Sequence, residues 1–155
     1  MKRWFVQLVI LAAAGLALAD SSVPARRETP PAGEKRSTRY IVPQERAHLF
    51  YYTRKPVVFW TPSTADVKRL EDRLPDLVEK SRALTKLLPK WGRQYVGFVG
   101  AQRRKVIWVN LFCVDSFDLD PTQPFVVSDG GECFCRADYD VVAGTFSNFN
   151  CNGEG

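Results

Sequence analysis

The most specific chemistry in this 155-residue chain belongs to four cysteines, Cys113, Cys133, Cys135 and Cys151. Their even number reads as disulfides if the chain reaches an oxidising compartment. As a metal site they are poor, since one Cys-x-Cys pair has no histidine near it; no metal or other cofactor is expected. Carboxylates form a second candidate group. Asp115, Asp118 and Asp120 share one stretch, with Asp129 close behind. Such clusters can do acid–base work or bind calcium through oxygen, but this spacing completes no EF-hand loop and fits a solvated acidic loop better. Histidine occurs once, as His48. Any nucleophile–histidine pair would rest on a residue outside the expected core. The chain contains no Gly-x-Ser-x-Gly elbow, Walker loop or His-Glu-x-x-His string, so the common motifs of hydrolases, nucleotide enzymes and zinc proteases are missing.

The elements that must hold these residues follow from periodicity. Pro56-Val57-Val58-Phe59-Trp60 is a short β-branched and aromatic run, which predicts a strand. Thr61 then offers a helix-capping hydroxyl, Pro62 suits a first helical position and Asp66 the first turn. Val67, Leu70, Leu74, Leu77, Val78, Leu84, Leu87 and Leu88 recur at the spacing of one buried helical face. Pro75 interrupts the run and predicts a kink or two consecutive helices; Pro89 ends it.

Beyond residue 92 the period becomes two. Residues 94–99 and 106–113 read as adjacent strands turning through 100–104. In the second, Ile107, Val109, Leu111 and Cys113 share one face, and Trp108, Asn110 and Phe112 the other. A polar loop, 115–124, follows. Residues 125–127 and 132–139 form a strand interrupted at Gly130-Gly131, and 145–151 the last strand. A long amphipathic helix laid across a four-stranded antiparallel meander buries both apolar surfaces, giving an α+β domain over 49–155.

Within that sheet, alternation puts Cys133 and Cys135 on one face with Ala137 and Tyr139. A hairpin turning around Val142 sets Cys151 opposite Cys133 and diagonal to Cys135, within reach of either. Cys113 lies on the neighbouring strand. We favour Cys113–Cys133 with Cys135–Cys151, while the hairpin register alone also permits Cys133–Cys151.

The amino-terminal third points to export. Lys2 and Arg3 precede an apolar run over 5–18, and Ala17-Leu18-Ala19 supplies a small-x-small cleavage pattern, so 1–19 reads as a signal peptide removed after Ala19. The run is too short for a spanning helix, and no transmembrane anchor is expected after cleavage. Residues 20–48 are rich in Ser, Pro, Glu and Arg and read as a flexible leader. The mature protein is expected to be periplasmic or extracellular.

Charge argues against nucleic acid as a partner. The whole chain has 22 basic and 17 acidic residues, a balance of +5. Residues 49–155 hold 14 basic against 13 acidic side chains and are almost neutral, whereas a nucleic-acid binder concentrates positive charge on its folded surface. The distribution is nevertheless uneven: residues 49–105 sum to +8 and 106–155 to −7. Arg103-Arg104-Lys105 with the helix lysines could meet a polyanion, but the cluster fits a hairpin tip kept soluble by charge better.

The order of elements is similar to the cystatin-like fold family, which implies fold but not function. Cystatins present a Gln-x-Val-x-Gly turn to a cysteine protease. Here Gln94-Tyr95-Val96-Gly97-Phe98 has Phe98 at the second glycine, and Asp140-Val141-Val142-Ala143-Gly144 has Asp for Gln, so inhibition is not carried over. A second resemblance is more extensive. Trp60-Thr61-Pro62-Ser63, Arg93-Gln94-Tyr95-Val96-Gly97, Asn110-Leu111-Phe112-Cys113, Asp129-Gly130-Gly131-Glu132-Cys133-Phe134, Tyr139-Asp140 and Asn152-Gly153-Glu154 together resemble a family of small uncharacterised exported bacterial proteins. The likeness covers about residues 56–154. It implies a Cys113–Cys133 pair, with Cys135 and Cys151 as an added pair, because family members carry an aromatic or aliphatic residue at Cys135.

These observations lead to a non-catalytic binding module as the main expectation, its partner an unknown protein or envelope component. Trp108, Phe112, Phe134 and Phe146 are expected to form an aromatic stripe on the sheet face away from the helix, either meeting a partner or a second copy of the chain, or covered by the N-terminal strand and leader. The alternatives are a small hydrolase or acid–base enzyme built on Asp115, Asp118, Asp120 or Asp129, and a polyanion- or envelope-binding protein using the basic half.

Overall fold

The computed structural model describes residues 38–52, 57–114, 120–125 and 127–153. The expected signal peptide, and the expected leader up to residue 37, lie outside these. The fold is α+β. In chain order the elements are β1 (Arg39–Ile41), α1 (Ala47–Phe50), β2 (Phe59–Trp60), α2 (Thr64–Val78), α3 (Arg82–Leu87), β3 (Trp91–Val99), β4 (Lys105–Cys113), β5 (Phe134–Asp140) and β6 (Thr145–Cys151).

The sheet is six-stranded and mixed rather than four-stranded and antiparallel. Its order is β1-β3-β4-β5-β6, with β2 beside β3. From β3 to β6 each strand pairs antiparallel with the next. Two short strands share the far edge of β3: β1 runs parallel to it at Arg93 to Tyr95, and β2 antiparallel at Gly97 and Phe98. The boundary expected at residue 48 is therefore corrected. Arg39, Tyr40 and Ile41 belong to the sheet, because the polar composition of their neighbours does not prevent three residues from filling an open ladder edge. At Gly97 the side chain of Trp60 comes so close that a Cβ would collide with its ring.

Helix α2 begins two residues later than the Thr61-Pro62 reading. Ser63 is the N-cap: its Oγ accepts from Asp66 N–H at 3.1 Å while Asp66 Oδ2 accepts from Ser63 N–H at 3.1 Å, a reciprocal capping box. Thr61 Oγ1 instead accepts from Gln44 N–H. Pro75 does not end the helix. It lies on the exposed side of the helix, so its ring displaces no core packing. Of the two expected outcomes, a kink or two consecutive helices, the run does divide in two, but at 79–81 rather than at Pro75; there extended Ser81 caps α3, its Oγ accepting from Leu84 N–H.

Val67, Leu70, Leu74 and Val78 line the buried stripe of α2. They pack on Tyr95, Ile107, Val109, Leu111, Ala137 and Tyr139 in the main core, the burial that holds helix to sheet. The opposite face of the sheet has a second, smaller core of Val42, Ala47, Phe50 and Val96, edged by Tyr40, Tyr51, Phe59 and Trp108. Both faces of β3 are consequently covered, and eight of its nine residues are buried.

Two disulfides form: Cys113–Cys133 ties β4 to the 3-10 turn that precedes β5, and Cys135–Cys151 joins β5 to β6. The hairpin register differs from a turn about Val142. Asp140 pairs with Thr145 around the residues 141–144, and a bulge then opposes Ala137 with both Asn148 and Phe149, so that Cys151 falls directly opposite Cys135.

Candidate functional site

On the face of the sheet away from α2, strand alternation presents Trp108, Asn110 and Phe112 from β4 and Phe134, Arg136 and Asp138 from β5, in register as Trp108↔Asp138, Asn110↔Arg136 and Phe112↔Phe134. The chain after α1 returns across this surface. Tyr51 stacks on Phe98 with ring centroids 4.8 Å apart and meets Trp108 edge-on at 5.6 Å. A cleft of about 460 Å³ lies here, walled by Phe50, Tyr51, Tyr52, Trp108, Phe125 and Phe134, with Asp138, Arg136 and three asparagines among its other lining residues. That size and mixed lining are typical of small-molecule sites.

The walls are fixed by polar staples from the sequence motifs. Asn152 Nδ2 donates to the carbonyls of Val127 and Asp129, at 2.6 and 3.0 Å, and Gly131 N–H donates to Gly153 O. The Asp-Gly-Gly and Asn-Gly strings are thus neighbours in space. Gly130 sits at φ +89°, where a side chain would be strained and a Cβ would meet the Phe134 ring. On the other side of the cleft, buried Gln94 donates through Nε2 to the carbonyls of Pro121 and Gln123, and accepts from Asn110 Nδ2. Arg46 adds bonds to Tyr40 Oη and Thr122 O. Phe125, carried by this loop, meets Phe112 edge-on at 4.9 Å.

Asp138 is the acidic group of the cleft. Its Oδ2 accepts from Asn148 Nδ2 at 2.7 Å. Burial raises its carboxyl above the usual aspartate value, with the Asn148 bond pulling the other way. Tyr51 is raised too, by burial and then by the negative charge of Asp138. No ion pair joins Asp138 to a cation among the described residues. The arrangement can accept a hydrogen bond or attract a positive charge against aromatic faces; its described lining includes no histidine and no second carboxylate, so a general acid–base pair is not assembled there.

The sequence-derived candidates are dispersed. Asp115 and Asp118 lie outside the described residues. Asp120 Oδ1 accepts from Thr122 N–H and Oγ1, an Asx-type turn. Asp129 and His48 are exposed, and neither lines the cleft. The carboxylate absent from those candidates is Asp138. Period-two alternation through Phe134 would have placed it on the aromatic face, but its partner Tyr51 arrives from a segment read as the start of the domain with no assigned element.

The aromatic stripe is also redrawn. Trp108 and Phe134 do line the cleft, and Phe112 is buried beneath it. Phe146 belongs to the other face, where it pairs across from Tyr139 at 5.0 Å between ring centroids. In the basic cluster, Arg104 pairs with Asp140 at 2.9 Å and Lys105 Nζ lies over the Trp60 ring at 4.8 Å. Those two charges contact β5 and β2 from the hairpin, and Arg103, Arg104 and Lys105 are all exposed.

A further polar cluster sits between α2 and β3. Glu71 Oε1 accepts from Tyr95 Oη at 2.7 Å and lies 2.9 Å from Arg93 Nε, while Oε2 pairs with Arg39 at 2.8 Å. Arg93 also donates to the carbonyls of Trp91 and Leu88. One carboxylate shared by two guanidinium groups and a phenol thus ties β1, β3 and α2 together.

Among the described residues no group of three or more His, Cys, Asp or Glu side chains is gathered to hold a metal ion, and no helix is long and apolar enough to cross a membrane. No family model, no curated protein and no solved structure matches this chain.

Proposed function

We propose that the chain is an exported, disulfide-stapled binding module that acts without catalysis, receiving its ligand in the aromatic cleft on the sheet face away from α2. The observation that carries this reading is the cleft itself. It combines six aromatic side chains with a desolvated carboxylate, and its walls are pinned by Asn152, Gln94 and Arg46. Preorganised walls lower the ordering cost of binding. Leu49 and Tyr52 at the cleft are 52% and 87% exposed, apolar area that a ligand would cover. Export is supported by the signal-like opening, by the two disulfides and by the likeness to small exported proteins. The cystatin-like likeness is retained as a proposal about fold alone.

A thermal-shift screen of small amphipathic compounds on the oxidised protein tests the binding reading. Ligands should raise the Tm of the wild type and fail to raise that of Trp108→Ala. Hits that stabilise both proteins equally, or no hits across cationic, neutral and anionic classes, would sink it. Mass spectrometry of exported material tests processing: the mature chain should begin at Asp20.

A further inference from the structure

Asp138 occupies an unusual position for a charged side chain. It is half-buried in an aromatic cleft, has one donor, Asn148, on Oδ2, and has no cation paired with it among the described residues. An uncompensated charge in apolar surroundings is costly unless something offsets it. Arg136 lies two residues away on the same face of β5 but is exposed and makes no ion pair with Asp138.

We propose that the cleft selects an organic cation, a substituted ammonium on an apolar body, with the ammonium against Asp138 and the body on the aromatic walls. The proposal deepens the cleft reading above and rests on it. Tyr51 and Trp108 bring π-electron density beside the carboxylate, an arrangement that favours ammonium groups. The competing ligand chemistries are less well served. Asn110, Asn148 and Asn152 each already spend an amide donor inside the protein, on Gln94, on Asp138 and on the Val127 and Asp129 carbonyls. The remaining donors of the lining include the exposed Arg136 guanidinium and the Tyr51 and Tyr52 hydroxyls, whereas at the half-buried Asp138 an anion meets a repulsive charge and a neutral polyol gains no charge pairing. Among the described residues no donor reaches Oδ1 of Asp138, which is the open acceptor.

Three probes that share one phenyl ring separate the chemistries: phenethylammonium, 2-phenylethanol and phenylacetate, titrated calorimetrically into the full oxidised chain at pH 7. Phenethylammonium is expected to bind at least about tenfold more tightly than the alcohol, a difference of about 1.4 kcal/mol, with phenylacetate weaker still. Asp138→Asn should reduce the ammonium to the affinity of the alcohol, while Asp76→Asn, on the exposed face of α2, should leave it unchanged. Trp108→Leu, which keeps the carboxylate and removes a π face, should lower the preference for the ammonium several-fold. Equal binding of alcohol and ammonium, or an Asp138→Asn protein that keeps the preference, overturns the cation assignment and leaves the cleft reading standing. Absence of saturation by all three probes up to about 10 mM also overturns the assignment, and the cleft reading is then decided by the thermal-shift screen.

Discussion

Cys135 lies directly opposite Cys151, with Cα atoms 3.9 Å apart, because Asn148 adds one residue to β6. Asn148 adopts φ +52°, a left-handed conformation that asparagine tolerates better than most residues. One inserted residue reverses which side of the strand every later side chain faces. Without it Cys151 would point away from Cys135. The same residue donates to Asp138, so one bulge serves both the cross-link and the cleft.

Deleting Asn148 should leave Cys135 and Cys151 unpaired, with alkylation of both in native material as the readout. Asn148→Gly should keep both bridges. Asn148→Val should keep them at a stability cost of about 1–2 kcal/mol, because a β-branched residue is strained at positive φ. Chemical denaturation measures that cost.

The disulfides close spans of 16 and 20 residues. Replacing Cys135 and Cys151 together by alanine should lower unfolding free energy by about 3 kcal/mol on the chain-entropy account. A loss near zero in urea denaturation would show that the hairpin is already held by its ladder and by the packing of Phe146 and Phe149.

Glu71 sits at the centre of the network joining α2 to β3. Glu71→Ala leaves the Arg93 guanidinium buried without its carboxylate and should cost about 3–5 kcal/mol. Arg39→Ala removes a cation that is 57% exposed and should cost less than about 1 kcal/mol. Equal losses in urea unfolding would contradict this division of labour.

Asp138 and Asp140, two residues apart on β5, should depend on pH in opposite ways. The Asp140 carboxyl is held below its usual value by Ala143 and Val142 N–H groups and by Arg104. Its stabilising effect is present above the unfolded value of 3.8 and disappears as pH falls through the folded value. Burial raises Asp138. Its ionisation therefore costs stability once pH exceeds the folded value, and that cost is absent below the unfolded value of 3.8. Near pH 7, Asp138→Asn should raise Tm by roughly 1–3 °C and Asp140→Asn should lower it by a similar amount. Both differences should shrink toward acid in melting curves recorded at a series of pH values.

Local pattern was enough to expose the α2 stripe, the two faces of β4, the positive-φ glycines and the placement of Cys113, Cys135 and Cys151 in one sheet, whereas Cys133, expected in a strand, ends the 3-10 turn that precedes β5. Each of these depends on side-chain period or on backbone freedom carried by single residues. The sequence did not reveal that Arg39, Tyr40 and Ile41 complete an edge of β3. Three residues hold too little period to read, and their pairing lies more than fifty positions away. Nor did it place Phe146, whose face depends on the turn length at 141–144.

By itself the sequence determined an α+β domain with oxidisable cysteines and alternating strands, because burial periodicity is a local property. Tertiary structure alone decided the cleft. Asp138 became distinctive only when the 49–52 segment folded over it, since desolvation depends on what arrives from elsewhere in the chain. The same holds for the Cys135–Cys151 register, fixed by one extra residue whose consequence is felt across the strand pair.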